Sequence, residues 1–417
     1  MKILPVRSCE LALLLLPAGL ALGSRPGAGP QDDDLPQRVS ELETKIDVLA
    51  DEVERFTLGE LVPTLGEGRY GLGPAASKVY AKDEGTSIGG YGEALFQEHA
   101  GAAKSDVFDL LRTVLYFGYR FGPHWVLNSE IEIEHASTEE EGAVSVEFAA
   151  LDYLGTAAVN ARAGLVLVPM GFLNELHEPP TFLAATRPET ERRIIPSTWR
   201  ETGVGVFGET GDLSYRLYVV TALDALGFTG SGLRDGRQNG SKARAEDFAL
   251  TGRVDWIPAP GLLAGLSAHR GDAGQGREGL GATATTIVEA HGEVRARGLW
   301  LRGLIARATV DDVALLNAAT GESVGESLEG QYVEMGYDLL AHLAPDSGLS
   351  AGPYARFESF DTQAEVASGS AANPANDEEI ATFGVDFRPL PSIVIKVEYQ
   401  DFDQDVDRFN VSLGYSF

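Results

Sequence analysis

The last segment of the chain restricts its fold more than any other. From Arg408 to the final residue, Phe409, Val411, Leu413, Tyr415 and Phe417 form one apolar face, and Arg408, Asn410, Ser412, Gly414 and Ser416 alternate with them. A strict period of two describes a β-strand with hydrocarbon on one side and water on the other. A strand of a soluble sandwich alternates in the same way, so the connections between such segments have to decide between architectures.

The stretch from Ile88 onward reads as sixteen alternating segments, with fourteen and eighteen as the neighbouring solutions. They begin near Ile88, Val107, Trp125, Val144, Val159, Glu201, Leu213, Ala243, Leu262, Thr283, Leu299, Gln331, Leu349, Glu379, Ile393 and Asp407. Tight links such as Phe121-Gly122-Pro123-His124, Thr210-Gly211-Asp212, Pro258-Ala259-Pro260-Gly261 and Pro389-Leu390-Pro391-Ser392 alternate with long ones at 171–200, 227–241, 311–329 and 362–377. Short turns on one side and long loops on the other are what an even-numbered transmembrane barrel requires, and a sandwich has no reason for them. The expected fold class is all-β: an antiparallel up-and-down transmembrane barrel of about sixteen strands over residues 88–417.

Facing follows from alternation. In the third segment Trp125, Leu127, Ile131 and Ile133 turn to lipid, leaving Glu130, Glu132 and Glu134 inside. In the fifteenth, Ile393, Ile395, Val397 and Tyr399 face out, with Lys396, Glu398 and Gln400 inside. The opposite register would place those charges in hydrocarbon at a cost of about 2–4 kcal/mol each near the midplane. The inner wall is therefore expected to be polar and of mixed sign, and sixteen strands leave room for an aqueous lumen.

The amino terminus agrees with export. Lys2 and Arg7 precede an apolar core from Leu11 to about Leu22, followed by Gly23 and Ser24. This core is too short to span a bilayer and reads as a cleavable signal over 1–23. The single cysteine, Cys9, lies in this signal, ahead of its apolar core. A formal charge of -29 excludes nucleic acid as a partner, because phosphate neutralisation needs a basic surface. After a linker at 24–34, Leu35, Val39, Leu42, Ile46, Leu49, Val53 and Phe56 recur in heptads, predicting a coiled-coil helix over 35–57 or an amphipathic helix on the barrel mouth. A connector at 58–87 leads to the first strand.

The longest connection is too apolar for a solvated tip. Phe172, Leu173, Phe182, Leu183, Ile194, Ile195 and Trp199 need burial, and the lumen offers it. Folded inward, this loop would carry Arg187, Arg192, Arg193 and Arg200 to a constriction, where rings of fixed charge set ion preference. Those arginines could equally pair with Glu189, Glu191, Glu201 and wall carboxylates and only pin the loop. His177 and Glu178 lie in the same loop; a histidine beside prolines reads as a packing residue rather than a catalytic base or metal ligand. No G-x-S-x-G nucleophile motif and no closely spaced histidine or cysteine pair occurs, so no catalytic residue, metal or cofactor is expected.

Three stretches carry resemblances. The closing strand, with Leu413, Tyr415 and terminal Phe417, resembles the signal read by the barrel-assembly machinery of bacterial outer membranes. Residues 164–171 (GLVLVPMG), Asn174, His177-Glu178-Pro179-Pro180 and Ile194-Ile195-Pro196-Ser197-Thr198-Trp199-Arg200-Glu201-Thr202-Gly203 resemble the corresponding part of phosphate-selective porins of the O/P type, and Ser87-Ile88-Gly89-Gly90-Tyr91-Gly92-Glu93 resembles the first strand of porins related to that family. The resemblance implies a homotrimer of sixteen-stranded barrels with an arginine ladder along the wall. Inward positions available for such a ladder are Arg112, Arg120, Arg162, Arg216, Arg253, Arg295 and Arg356. Glu130, Glu132 and Glu134 share that wall.

The expected function is a porin: a water-filled channel for passive diffusion of small ions and solutes across the bacterial outer membrane, anion- or phosphate-preferring through the arginines or cation-preferring through the carboxylates. Its N-terminal helix and both termini would lie in the periplasm, and outer-membrane lipid would surround it. The alternative is a structural barrel whose periplasmic coiled coil acts as a spacer to the cell wall or to partners.

Overall fold

The computed structural model describes residues 68–417 apart from 102–103 and 139–141, together with Arg38, Ser40 and residues 42–46. The chain divides into a unit ending at Arg55 and a unit from Phe56 to Phe417. In the first, Arg38, Ser40 and residues 42–46 are helical, with the seam side chains Leu42 and Ile46 exposed. The signal, the linker and the rest of the heptad stretch lie outside the described residues.

The second unit is a closed barrel of sixteen antiparallel strands, each paired with its neighbours in sequence and the first closed against the last. The strands are β1 (Gly85–His99), β2 (Val107–Arg120), β3 (Trp125–Glu134), β4 (Ala143–Leu154), β5 (Asn160–Leu167), β6 (Arg200–Thr210), β7 (Leu213–Thr221), β8 (Phe248–Ala259), β9 (Leu262–Asp272), β10 (Ala284–Ala296), β11 (Leu299–Val310), β12 (Ser327–Tyr337), β13 (Ser350–Glu365), β14 (Asp377–Leu390), β15 (Ile393–Phe402) and β16 (Arg408–Ser416). The number and order are those read from alternation and connection length. Among the described residues no helix is long and apolar enough to cross a membrane.

The register turns the sequence pattern into two surfaces. On β3 and β15 the side chains of Trp125, Ile131, Ile133, Ile395, Val397 and Tyr399 are exposed, whereas Glu130, Glu132, Lys396, Glu398 and Gln400 are buried. On β16, Leu413 and Tyr415 point outward and Asn410 and Ser412 inward. Outside the closing seam, the Tyr415 and Phe417 rings lie across Gly92 and Gly90, where any β-carbon would collide with them. Connections at one end are short; Arg297 and Gly298 make a two-residue hairpin with φ of 52° and 84°, the mirror-image turn that matches strand twist. The segment at 338–349, with a helical turn at Leu340–Leu343, is a longer link at that same end. Long loops gather at the other end.

The lumen is not an open tube. The main apolar cluster lies inside the barrel and joins the long loop (Phe172, Leu173, Phe182, Ile194, Ile195, Trp199) to wall residues such as Ile287, Leu304, Tyr332 and Phe360. The inner wall is thus polar only in part: across β10–β14 it is apolar where the loop seats. Burial of each large side chain contributes roughly 1.5–3 kcal/mol, so this loop is a packed part of the fold.

Candidate functional site: the pore lumen

Many inward-facing charges of the strands are paired along the wall. Arg162 lies 2.8 Å from Asp152, Arg253 lies 2.9 Å from Asp255, and Arg216 is 2.7 Å from Asp255 and 3.1 Å from Glu175. Arg356 sits 3.1 Å from Glu358, and Arg112 is 3.3 Å from Glu93 and 3.5 Å from Glu132. Arg120 and Arg295 lie at the short-turn end. Arg120 donates to the carbonyls of Gly122 and Pro123, and Arg295 pairs with Glu293. Glu134, half-buried, ends β3 at the loop end. Arg302, buried on β11 and 3.0 Å from Glu334, belongs to the same wall set; alternation with Leu299 and Leu301 marks it, although the ladder positions chosen from sequence omit it.

Residues 168–199 cross the lumen and reach the wall on many strands. Asn174 donates to the carbonyls of Val168 and Trp199, closing the base of the loop. Glu191 accepts from the Leu173 amide at 2.8 Å and from the Tyr332 hydroxyl at 2.6 Å. Glu398 accepts from the Ala185 amide at 2.7 Å, and Lys396 donates to the carbonyls of Pro179 and Ala184. On the opposite side His177 Nε2 lies 3.2 Å from Glu130. Much of the wall charge therefore holds the loop in place.

The loop arginines divide by partner. Arg192 and Arg193 both bind Glu189, at 2.6 and 3.0 Å, and Arg200 binds Glu147 at 2.6 Å. Arg187 donates to the His177 carbonyl, and its buried Nε has no hydrogen-bond partner. A second loop, 222–247, folds over this group. Its Phe228 and Leu233 join the main apolar cluster, Arg193 reaches the Ser231 carbonyl, and Arg237 donates to the Thr198 carbonyl. This brings Arg234 and Arg237 to the loop-end mouth. Burial, then the charges of Arg237, Arg192 and Arg187, pull the Arg234 pKa down to about 9. It remains protonated at neutral pH in a field of its own sign, which a bound anion would relieve. No spacing in the sequence points to Arg234 and Arg237; the inward fold of their loop was visible only in its Phe228 and Leu233.

The sequence also concealed a second occupant. Within the connector, residues 68–82 enter the lumen and form a 3-10 helix at Ala76–Ala81 against β1, β2 and β3. Leu72, Ala75, Ala76, Val79 and Tyr80 pack on Tyr91, Val114, Tyr116, Val126 and Phe148. Glu178 from the long loop accepts from the amides of Ala75 and Ala76 at 2.9 and 3.2 Å. Between this segment, the loop and the short-turn end lies a cavity of about 700 Å³, lined by Tyr70, Phe172, Glu175, Arg216, Arg253 and Arg302 among others. Among the described residues no three His, Cys, Asp or Glu side chains are grouped to hold a metal ion.

An uncharacterized protein of Aquifex aeolicus (strain VF5) is 35% identical over 382 residues, spanning 87% of each chain. The chain belongs to the same family. No family model matches it. Among solved structures, OmpF of Salmonella typhi in complex with daunomycin superposes with a TM-score of 0.55 at 11% identity, covering 81% of this chain and 99% of that one. A loop-deletion mutant of OmpT, an outer membrane protein of Vibrio cholerae, gives 0.52 at 11% identity over 81% of this chain and 100% of that one. The outer membrane channel DcaP of Acinetobacter baumannii gives 0.50 at 13% identity over 80% and 97%. These likenesses establish the porin fold for this member of the Aquifex protein's family.

Proposed function

We propose that the protein is an outer-membrane porin, a passive diffusion channel with anion preference, its short-turn end and N-terminal helix in the periplasm. The observation that carries the preference is the convergence of two loops at the mouth. Arg187, Arg192 and Arg193 from one loop, Arg200 at the start of β6, and Arg234 and Arg237 from the other loop act on one another, with Glu189, Glu147, Glu132, Glu201 and Asp235 as the neighbouring acids. Like charges gathered at a mouth raise local anion concentration, because low-dielectric walls focus the field. Apart from Arg120, which binds only backbone carbonyls, the wall arginines each have a carboxylate in contact, as do Arg192, Arg193 and Arg200; the preference therefore leans on Arg187, Arg234 and Arg237.

Phosphate as the preferred anion rests on the resemblance of residues 164–203 and 87–93 to the O/P-type porins, and trimerisation rests on the same resemblance together with the heptads at 35–57. The filled lumen favours a second reading, a structural barrel with a periplasmic spacer; a conductance measurement separates the two. For the pore, replacing Arg187, Arg192 and Arg193 together by glutamine should move the reversal potential in a KCl gradient toward that of cations. An unchanged reversal potential would remove the loop arginines from the mechanism.

A further inference from the structure

Residues 68–82 pack against the inner wall, and the barrel is shaped around them. Ala75, Ala76, Ser77, Lys78, Val79 and Tyr80 are all buried although they precede the first strand. Their contacts fall into three sets. The wall takes hold through side chains: Asn128 donates to the Ala76 carbonyl at 2.8 Å, Arg120 reaches the Tyr80 carbonyl, and the Tyr80 hydroxyl donates to Asp152 at 2.7 Å while accepting from Arg162. The long loop takes hold through Glu178, at the amides of Ala75 and Ala76, and lays Glu175 against Gly71. The third set is steric. A β-carbon on Gly118 of β2 would meet the Val79 side chain at 2.6 Å, and one on Gly89 of β1 would meet the Ala75 carbonyl at 2.6 Å. Both glycines face inward with negative φ, so no backbone requirement explains them; they make room for this segment.

No strand pairing fixes the segment. Its one β-bridge, between Arg69 and Leu72, is internal, and its remaining backbone hydrogen bonds are local or go to side chains. A body inserted by side-chain contacts into a rigid barrel can leave without breaking the barrel. It lies next to the 700 Å³ cavity, whose lining includes Tyr70, Gly71, Leu72 and Pro74, and it binds Asn128 one inward position along β3 from the His177–Glu130 contact.

We infer that residues 68–82 are an autoinhibitory plug, seated in a pocket of β1–β5 and latched to the constriction loop through Glu178, and that its release opens the channel. The inference rests on the pore reading. When the plug is seated, conduction is limited by plug and loop together; when it is released, by the loop alone.

The test places a side chain in the seat without touching plug or latch. Gly118→Leu in the full chain should shift the seated-to-released ratio by about 5- to 150-fold, the equivalent of the about 1–3 kcal/mol that overpacking costs. The readout is unitary conductance in planar bilayers, expected to move to a higher level; adding Val79→Gly, which vacates the overlapped volume, should return it toward the original. Plug position is read independently by thiol-reagent labelling of Ser77→Cys, a buried site in a chain whose sole cysteine is Cys9. Faster labelling and higher conductance together in Gly118→Leu, both reversed by Val79→Gly, support the plug. Faster labelling with unchanged conductance overturns gating, because the segment then leaves without affecting the route. Unchanged labelling in a folded Gly118→Leu barrel overturns the seat itself. Faster labelling with no conductance in any variant overturns the pore reading and the gate with it.

Discussion

Tyr332→Phe removes one oxygen and one hydrogen bond from the interior, and the structure sets how much should follow. The hydroxyl donates to Glu191 at 2.6 Å, and with that bond gone the Glu191 carboxylate keeps only the Leu173 amide, at 2.8 Å, in a fully buried position. A hydrogen bond to a charged group contributes about 1.5–3 kcal/mol, so the equilibrium between seated and lifted loop should shift by about 10- to 150-fold. Tyr354→Phe is the matched control. Its hydroxyl donates to Glu398, which retains the Ala185 amide, the Thr186 hydroxyl and Asn410 Nδ2 as donors. Single-channel records should show more frequent transitions to a higher conductance in Tyr332→Phe than in Tyr354→Phe, and limited proteolysis should cut between Gly171 and Arg193 sooner. Equal behaviour of the two variants, in records long enough to resolve such transitions, would refute the claim that Glu191 anchors the loop.

Two further predictions follow from the seam and the latch. Phe417→Ala strips the ring that covers Gly90 while leaving the backbone pairing of Phe417 with Gly90 intact, so the fraction of heat-modifiable, folded barrel on a gel should fall; an undiminished fraction would make the ring irrelevant to closure. Burial above all holds the Glu178 carboxyl at about 7, opposed by the amides of Ala75 and Ala76 and by His177 and assisted by Glu130. Lys78 and Tyr116 face the same group. A released, solvated carboxyl titrates at about 4.3, so seating takes up a proton. The plug should therefore be held best below about pH 4 and progressively less as the pH rises through 7, giving higher unitary conductance at pH 8 than at pH 5 and a flatter profile in Glu178→Gln; a profile of the opposite sign contradicts the latch.

Alternation carried most of the fold because a barrel between lipid and lumen must repeat every second residue. The strand starts at Val107, Trp125, Leu213, Leu262, Leu299 and Ile393 follow directly from it. It failed where strands lead into loops that fold inward: β8 begins at Phe248 rather than near Ala243, and β12 at Ser327 rather than near Gln331. There Ala and small polar residues blur the two faces. The long loop was legible through its surplus of large apolar side chains, but its partners were not, since contacts such as Glu191 with Tyr332 or Lys396 with Pro179 join residues far apart in the chain. The segment at 68–82 was hidden for a different reason. Its period is neither two nor that of a heptad, and a short 3-10 helix held by side chains leaves no repeat to read. The wall glycines Gly89 and Gly118 were its only trace, and glycine is abundant throughout this chain.

The most direct test of the central claim is the reversal potential of the refolded full-length protein in a planar bilayer under a KCl gradient. Discrete conductance steps and a reversal potential on the anion side are expected, the latter reduced when Arg187, Arg192 and Arg193 are neutralised. Steps with cation preference would transfer selectivity to Glu130, Glu132 and Glu134, and a folded barrel that passes no current, even as Gly118→Leu, would contradict the channel itself.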